Sequence, residues 1–172
     1  MINELDYHEA ILSTWKTNNR TTIYLVDCIP EDLWNMKIPG LPRKTIGTIA
    51  AHIHNARCMW IKMTGKGEIV EVPERVNLRQ ADCREVLGGL RNSGRIMSEL
   101  LKACIDNGGK LPFTPAWLNF PNDVVHFLSY FVAHESHHRG QLILLARQFN
   151  QKLPEEVTDG VWQWKKRLKE VK

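Results

Sequence analysis

The 172-residue chain is 43% hydrophobic and 24% charged, with a formal net charge of +4. That is the balance of one soluble globular domain, residues 1–172, large enough to bury its own core. So mild a charge, with no basic patch to concentrate it, argues against nucleic acid as a partner, and no stretch approaches the length of a membrane span.

The opening MINELDYHEA lacks an apolar run, so no signal peptide is expected. A first helix is predicted from about Asn3 to Cys28, with Leu5, Ile11, Leu12, Trp15, Ile23 and Leu25 at helical spacing, ended by Pro30. Residues 30–43 hold Pro39, Gly40 and Pro42 and read as a loop. A second helix follows over about Thr45–Met63, with Ile46, Ile49, Ile53, Ala56 and Trp60 as its core stripe and Gly65 and Gly67 beyond its end. On a helical wheel His52 lies at the edge of that stripe, whereas His54 points away with Cys58; a His54–Cys58 metal pair is the weaker reading because it faces outward.

A third helix is predicted over about Arg79–Ile105, its buried side marked by Val86, Leu87, Leu90, Ile96, Met97, Leu100 and Leu101. Gly88, Gly89 and Gly94 either weaken it or permit a close helix contact. The extended segment 110–121 contains three prolines, and its Phe113, Trp117 and Phe120 either cover the end of a pocket or pack the loop down.

The fourth helix, about Asn122–Asn150, carries the main clue. Phe127, Phe131, Leu142, Leu145 and Phe149 fall on one side; Glu135, Ser136, Arg139 and Arg147 fall on the other. His134 and His138 lie amid the apolar side, one turn apart. Buried imidazoles need partners for both ring nitrogens, and a divalent metal accepting one nitrogen from each would supply them. Core histidines satisfied by neighbours or buried water are the alternative. Pro154 then breaks the chain, and Thr158 or Asp159 caps a short last helix with Val161, Trp162 and Leu168. The basic run Lys165, Lys166, Arg167, Lys169 reads as a solvated helix end. No strand is expected. Cys28, Cys58, Cys83 and Cys104 are scattered and read as reduced thiols of a cytoplasmic protein.

Four long helices and one short one predict an all-α, four-helix bundle with a short extra C-terminal helix. In such a bundle His52, His134 and His138 can meet as a three-histidine set with coordination positions left for water or substrate. The run AHESHHRGQLILLARQ resembles the last bundle helix of the DinB/YfiT-like metalloenzyme family, whose pattern His-x-x-x-His-Arg-Gly-Gln is met by His134, His138, Arg139, Gly140 and Gln141. IAAHIHNARCMW resembles the family's second helix, where His52, Ala56 and Trp60 fit and His54 does not. Residues 29–34, IPEDLW, resemble its first loop. One departure is Arg57, where the family often has an acidic residue. The resemblance implies a divalent metal, zinc or nickel, on three histidines. It also implies a homodimer and, in some relatives, transfer or isomerisation with a low-molecular-weight thiol.

A rival motif is His134-Glu135-Ser136-His137-His138, which matches His-Glu-x-x-His with Glu135 as general base. Gly140 sits one position too early for the extended form, and an exposed i, i+4 ion pair with Arg139 also explains Glu135. Glu135 as the base of another metal-assisted hydrolysis is retained. Tyr130 and Gln141 lie on the ligand side and are candidates to hydrogen-bond a substrate or bound water; they are also ordinary packing groups. His126 and His137 flank the apolar face. A non-enzymatic, metal-stabilised dimeric bundle is the competing class.

Overall fold

The protein is described from a computed structural model covering residues 6–80 and 82–170. Residues 3–5, and with them Leu5, lie outside the described residues. The first helix, α1, spans Tyr7–Asp27, and the Asp6 carboxylate caps it by accepting from the His8 and Glu9 amides at 2.9 and 3.1 Å. A single turn, α2 (Glu31–Trp34), follows Pro30.

The expected loop holds a two-stranded antiparallel ribbon, β1 (Lys37–Ile38) and β2 (Leu41–Thr45). The expectation of no strand is corrected here. The ribbon is made by its turn rather than by alternating side chains: Pro39 and Gly40 take the two central positions, and Gly40 has φ +74°. Thr45 then closes a capping box with Thr48 that starts α3 (Ile46–Gly65).

Residues 66–80 run along α3 without helix. Asn55 clamps this segment through both bonds of a side-chain amide to the Val76 backbone, at 2.9 and 3.0 Å. The third long helix, α4, therefore starts at Cys83 rather than Arg79, capped by Asp82, and runs to Asp106. The fourth, α5, spans Val124–Gln148, with Asp123 rather than Asn122 as its cap. The single short helix expected at the end is two: α6 (Glu155–Gly160) and α7 (Trp164–Lys169).

The chain is all-α apart from the ribbon. Helices α1 and α3 each pack against both α4 and α5, so α1 and α3 stand diagonally across the bundle. Gly89 lets α4 approach α3 closely: a Cβ there would lie 2.9 Å from the His54 ring. Gly94 accommodates Asn19 in the same way, whereas Gly88 faces open space.

The apolar core has two lobes. One gathers Leu25, Leu33, Ile46, Leu90, Leu142 and Leu145; the other gathers Trp15, Trp60, Ile96, Leu100, Phe127 and Phe131. Each such fully buried side chain contributes about 1.5–3 kcal/mol. Between the lobes every long helix contributes polar groups: Asn18 and Thr22 from α1, Arg57 from α3, Ser93 from α4, Glu135 and Arg139 from α5. The histidines of interest lie at the level of this belt.

Candidate metal centre

Helix α5 buries a different arc from the one its apolar residues outline. Glu135 is fully buried and Arg139 nearly so, beside Leu128, Leu142 and Ala146. The buried arc is thus rotated towards Glu135, and His134 and His138 stand at its margin, half-buried. That rotation turns the two rings towards α3, where His52 is exposed at the edge of its own buried face.

The three rings meet. Those of His52 and His138 are 4.8 Å apart between centroids, and those of His52 and His134 are 5.5 Å apart. The Nε2 atoms of His134 and His138 are 3.2 Å apart, and one ligand atom from each of the three histidines lies within 4.8 Å of the others. Gln141 presents Oε1 to His138 Nδ1 at 2.8 Å and donates from Nε2 to His137 Nε2 at 3.0 Å. The His138 Nδ1 therefore carries the proton, and its Nε2 is a bare lone pair aimed at His134. His134 Nδ1 is buried and has no hydrogen-bond partner.

Burial, followed by the like charge of His138 and His52, pushes the His134 imidazole down to about 4. Burial also lowers His138, and burial with the neighbouring His138 and Lys44 charges lowers His52. Three neutral imidazoles thus converge, and without an ion only a proton on His134 Nε2, shared with His138, links two of them. This donor set fits a divalent ion. Zinc–nitrogen bonds of about 2.0–2.1 Å put tetrahedral ligands about 3.4 Å apart, close to the His134–His138 separation, and the exposed His52 can close on them.

A cavity of about 630 Å³ opens beside the cluster, with His52 and His138 in its wall together with His137, Gln141, Thr48 and Ile49. A second cavity, of about 330 Å³, lies along α1 and α4 by Lys16, Arg20 and Arg95, away from the histidines. Of the two residues expected to meet a substrate, Gln141 lines the larger cavity. Tyr130 instead stacks on His134, with ring centroids 5.8 Å apart, and on Phe120 at 5.4 Å, within an aromatic group around Trp60.

Three expectations are corrected. Glu135 and Arg139 are not an exposed pair. The Glu135 carboxylate accepts from Arg57 Nε and Nη2 at 2.7 and 2.8 Å, from Thr22 Oγ1 at 2.7 Å and from Asn18 Nδ2 at 2.9 Å. Arg139 donates to Asn18 and Thr22 and to Ser136.

Glu135 as a general base is corrected on the same geometry. Burial would raise its pKa, but the Arg57 charge and hydrogen bonds, with Thr22 and Arg139, hold it below the usual carboxylate range. Both oxygens are engaged inside the bundle, so it is a poor acceptor for a proton in the cavity. Arg57, the departure from the family pattern, is the partner that Glu135 requires.

His54 does not face outward. It is 1% exposed, with Nδ1 at 3.0 Å from Ser93 Oγ and Nε2 at 2.9 Å from the Glu74 carbonyl. Both nitrogens are satisfied, and Cys58 packs on the ring with its thiol raised to about 11 by burial. Site-lining residues that the sequence did not single out are Arg43, Lys44 and Arg79. The first two are a basic pair just before a helix start, which was a usable signal; Arg79 is brought in only by the path of residues 66–80.

A solved structure described as the crystal structure of a DinB-like protein from Bacillus cereus ATCC 10987 is similar to this chain. It has a TM-score of 0.64 and 24% identity, over 85% of this chain and 95% of the other. At that identity the likeness concerns the fold alone. Among curated proteins none matches the chain. The model of the DinB family matches residues 1–165, nearly the whole sequence. By that match the chain belongs to the DinB family.

Proposed function

We propose that this protein is a metal-dependent enzyme acting on a small molecule, with a divalent ion, zinc or nickel, held by His52, His134 and His138. The observation that carries the reading is the convergence of three neutral imidazoles from α3 and α5 beside an open cavity. When bound, such an ion supplies Lewis acidity and can activate a thiol or water in an open position. The chain's own residues do the rest. Gln141 fixes the His138 tautomer so that Nε2 is the donor atom. The Glu135–Arg57 pair holds α5 against α3, and so sets the spacing of the ligands. The cavity admits the substrate beside His52 and His138.

Transfer to or from a low-molecular-weight thiol is the reaction class we favour. Hydrolysis is the second reading, with the engaged Glu135 arguing against a carboxylate base. The access of the cluster to the cavity favours an enzyme over a closed, purely structural site. A cytoplasmic setting is proposed on the four free cysteines among the described residues; no helix among those residues is long and apolar enough to cross a membrane.

The test is metal analysis of the purified protein and its variants, followed by a thiol-transfer screen. His52→Ala, His134→Ala and His138→Ala should each lose metal and the thermal stabilisation that added metal confers, about 2.7 kcal/mol at a hundredfold excess over Kd. His54→Ala and His137→Ala should retain both. Loss of metal from His54→Ala with retention in His52→Ala would overturn the assignment.

A further inference from the structure

The wall of the larger cavity has two properties that the three histidines do not explain. Its formal charge is of one sign. Arg43 and Lys44 from β2 and Arg79 from the segment before α4 line it, and no aspartate or glutamate does. Among the described residues none of these three cations has a carboxylate partner; the ion pairs there are made by other arginines, one lysine and a histidine. Three like charges gathered around one concave surface repel one another and focus a positive potential into it.

The wall is also apolar where it need not be. Leu41, Leu78 and Leu144 are 50%, 39% and 55% exposed, and all three line this cavity together with Ile38. Exposed leucines contributed by β2, the 66–80 segment and α5 converge on one place, which is the pattern of a binding surface rather than of scattered surface residues. The volume, about 630 Å³, is that of a small-molecule site.

We infer that this cavity takes an amphipathic small-molecule anion, its negative head group at Arg43, Lys44 and Arg79 and its apolar body against Leu41, Leu78 and Leu144. The inference rests on the proposed function in one respect: it names the chemical class of that enzyme's substrate, whose other end lies by His52 and His138. The arginines suit a carboxylate or phosphate head because their planar forks pair with two oxygens at once. The ribbon that carries Arg43 and Lys44 is tied to α3 through the Thr45–Thr48 capping box, which fixes the backbone of this pair relative to the helix of His52.

The test uses octanoate, octan-1-ol and octylammonium, which share one apolar body and differ in charge. Each is titrated by calorimetry or NMR into protein stripped of metal and into protein loaded with zinc, with metal content measured. Octanoate should bind about tenfold tighter than octylammonium at low ionic strength, and the difference should shrink in salt. The triple variant Arg43→Gln/Lys44→Gln/Arg79→Gln should weaken octanoate by about tenfold and leave octan-1-ol unchanged, which also shows that the variant is folded. Lys165→Gln/Lys166→Gln/Lys169→Gln, removing three charges elsewhere, should leave octanoate unchanged.

Equal binding of octanoate and octylammonium, no effect of the first triple variant, or an equal effect of the second overturns the inference. So does octanoate binding that requires zinc and ignores the triple variant; that result leaves the metal reading standing. Charge-selective binding by a protein that fails to take up added zinc has the opposite meaning: the anion site stands and the metal reading falls.

Discussion

The buried polar belt and the three-histidine cluster lie side by side on α5, and they treat their polar groups in opposite ways. In the belt the Glu135 carboxylate receives four donors, and Arg57 gives its two Nη1 hydrogens to Asn19 Oδ1 and the Leu90 carbonyl at 2.7 and 3.0 Å. In the cluster, one residue away, the Nε2 atoms of His134 and His138 face each other and the His52 ring closes the group. A satisfied interior network is a structural device; ring nitrogens that converge from separate helices beside a cavity are a place where a cation can bind. The same contrast separates two histidines of α3: His54 has both nitrogens occupied by the protein, and His52 has none so occupied among the described contacts.

The largest expected effect lies in the belt. Arg57→Ala or Glu135→Ala leaves one charge buried without its partner and should cost about 3–5 kcal/mol in urea denaturation. For a domain of this size that is a fall of about 10 °C in Tm. The double variant Arg57→Met/Glu135→Leu removes both charges and should recover most of the loss. If either single alanine variant is as stable as the parent, the belt is not the interior brace described above.

An intermediate effect is the pH dependence of the metal-free protein, which distinguishes the two regions by their windows. His134 has a folded pKa of about 4 against an ordinary 6.5, so the unfolded chain binds its proton first. The stability this group contributes is present above pH 6.5 and declines as pH falls from 6.5 towards 4. Glu135 is depressed below its ordinary 4.5, so its contribution is present above 4.5 and is lost as pH falls further, through the folded value. Denaturation curves taken from pH 7 to 3 should therefore show His134→Gln flattening the upper window and Glu135→Gln the lower one. Flattening in the reverse order would exchange the roles assigned to the two regions.

The smallest effect sharpens the boundary of the satisfied interior. Burial raises the Cys58 thiol to about 11 and that of Cys104 to about 12, while Cys28 and Cys83 are only partly buried. At pH 8 an alkylating reagent followed by mass spectrometry should modify Cys28 and Cys83 first, with Cys58 and Cys104 slow in the native protein. Rapid labelling of Cys58 would show that the region around His54 is open rather than packed.

Much of this was determined by local sequence. The caps and periodicity of α1, α3, α4 and α5 specify four long helices, because a 3.6-residue repeat and a capping side chain act within one turn. The choice of His52 with His134 and His138 follows from spacing along two helices and from the motif around Gly140 and Gln141. Other features depend on partners distant in sequence. A wheel assigns Glu135 and Arg139 to a polar face because it cannot show that Arg57 on another helix and Thr22 on a third wait to receive them. His54 reads as outward-facing until Ser93 and the Glu74 carbonyl arrive to satisfy it. The ribbon, with strands too short to alternate, is decided by its Pro39–Gly40 turn, and the gathering of Arg43, Lys44 and Arg79 around one cavity exists only once residues 66–80 are laid along α3. Burial and charge pairing are properties of neighbours in space, so only the tertiary structure decides which polar residues are interior and which wall faces a ligand.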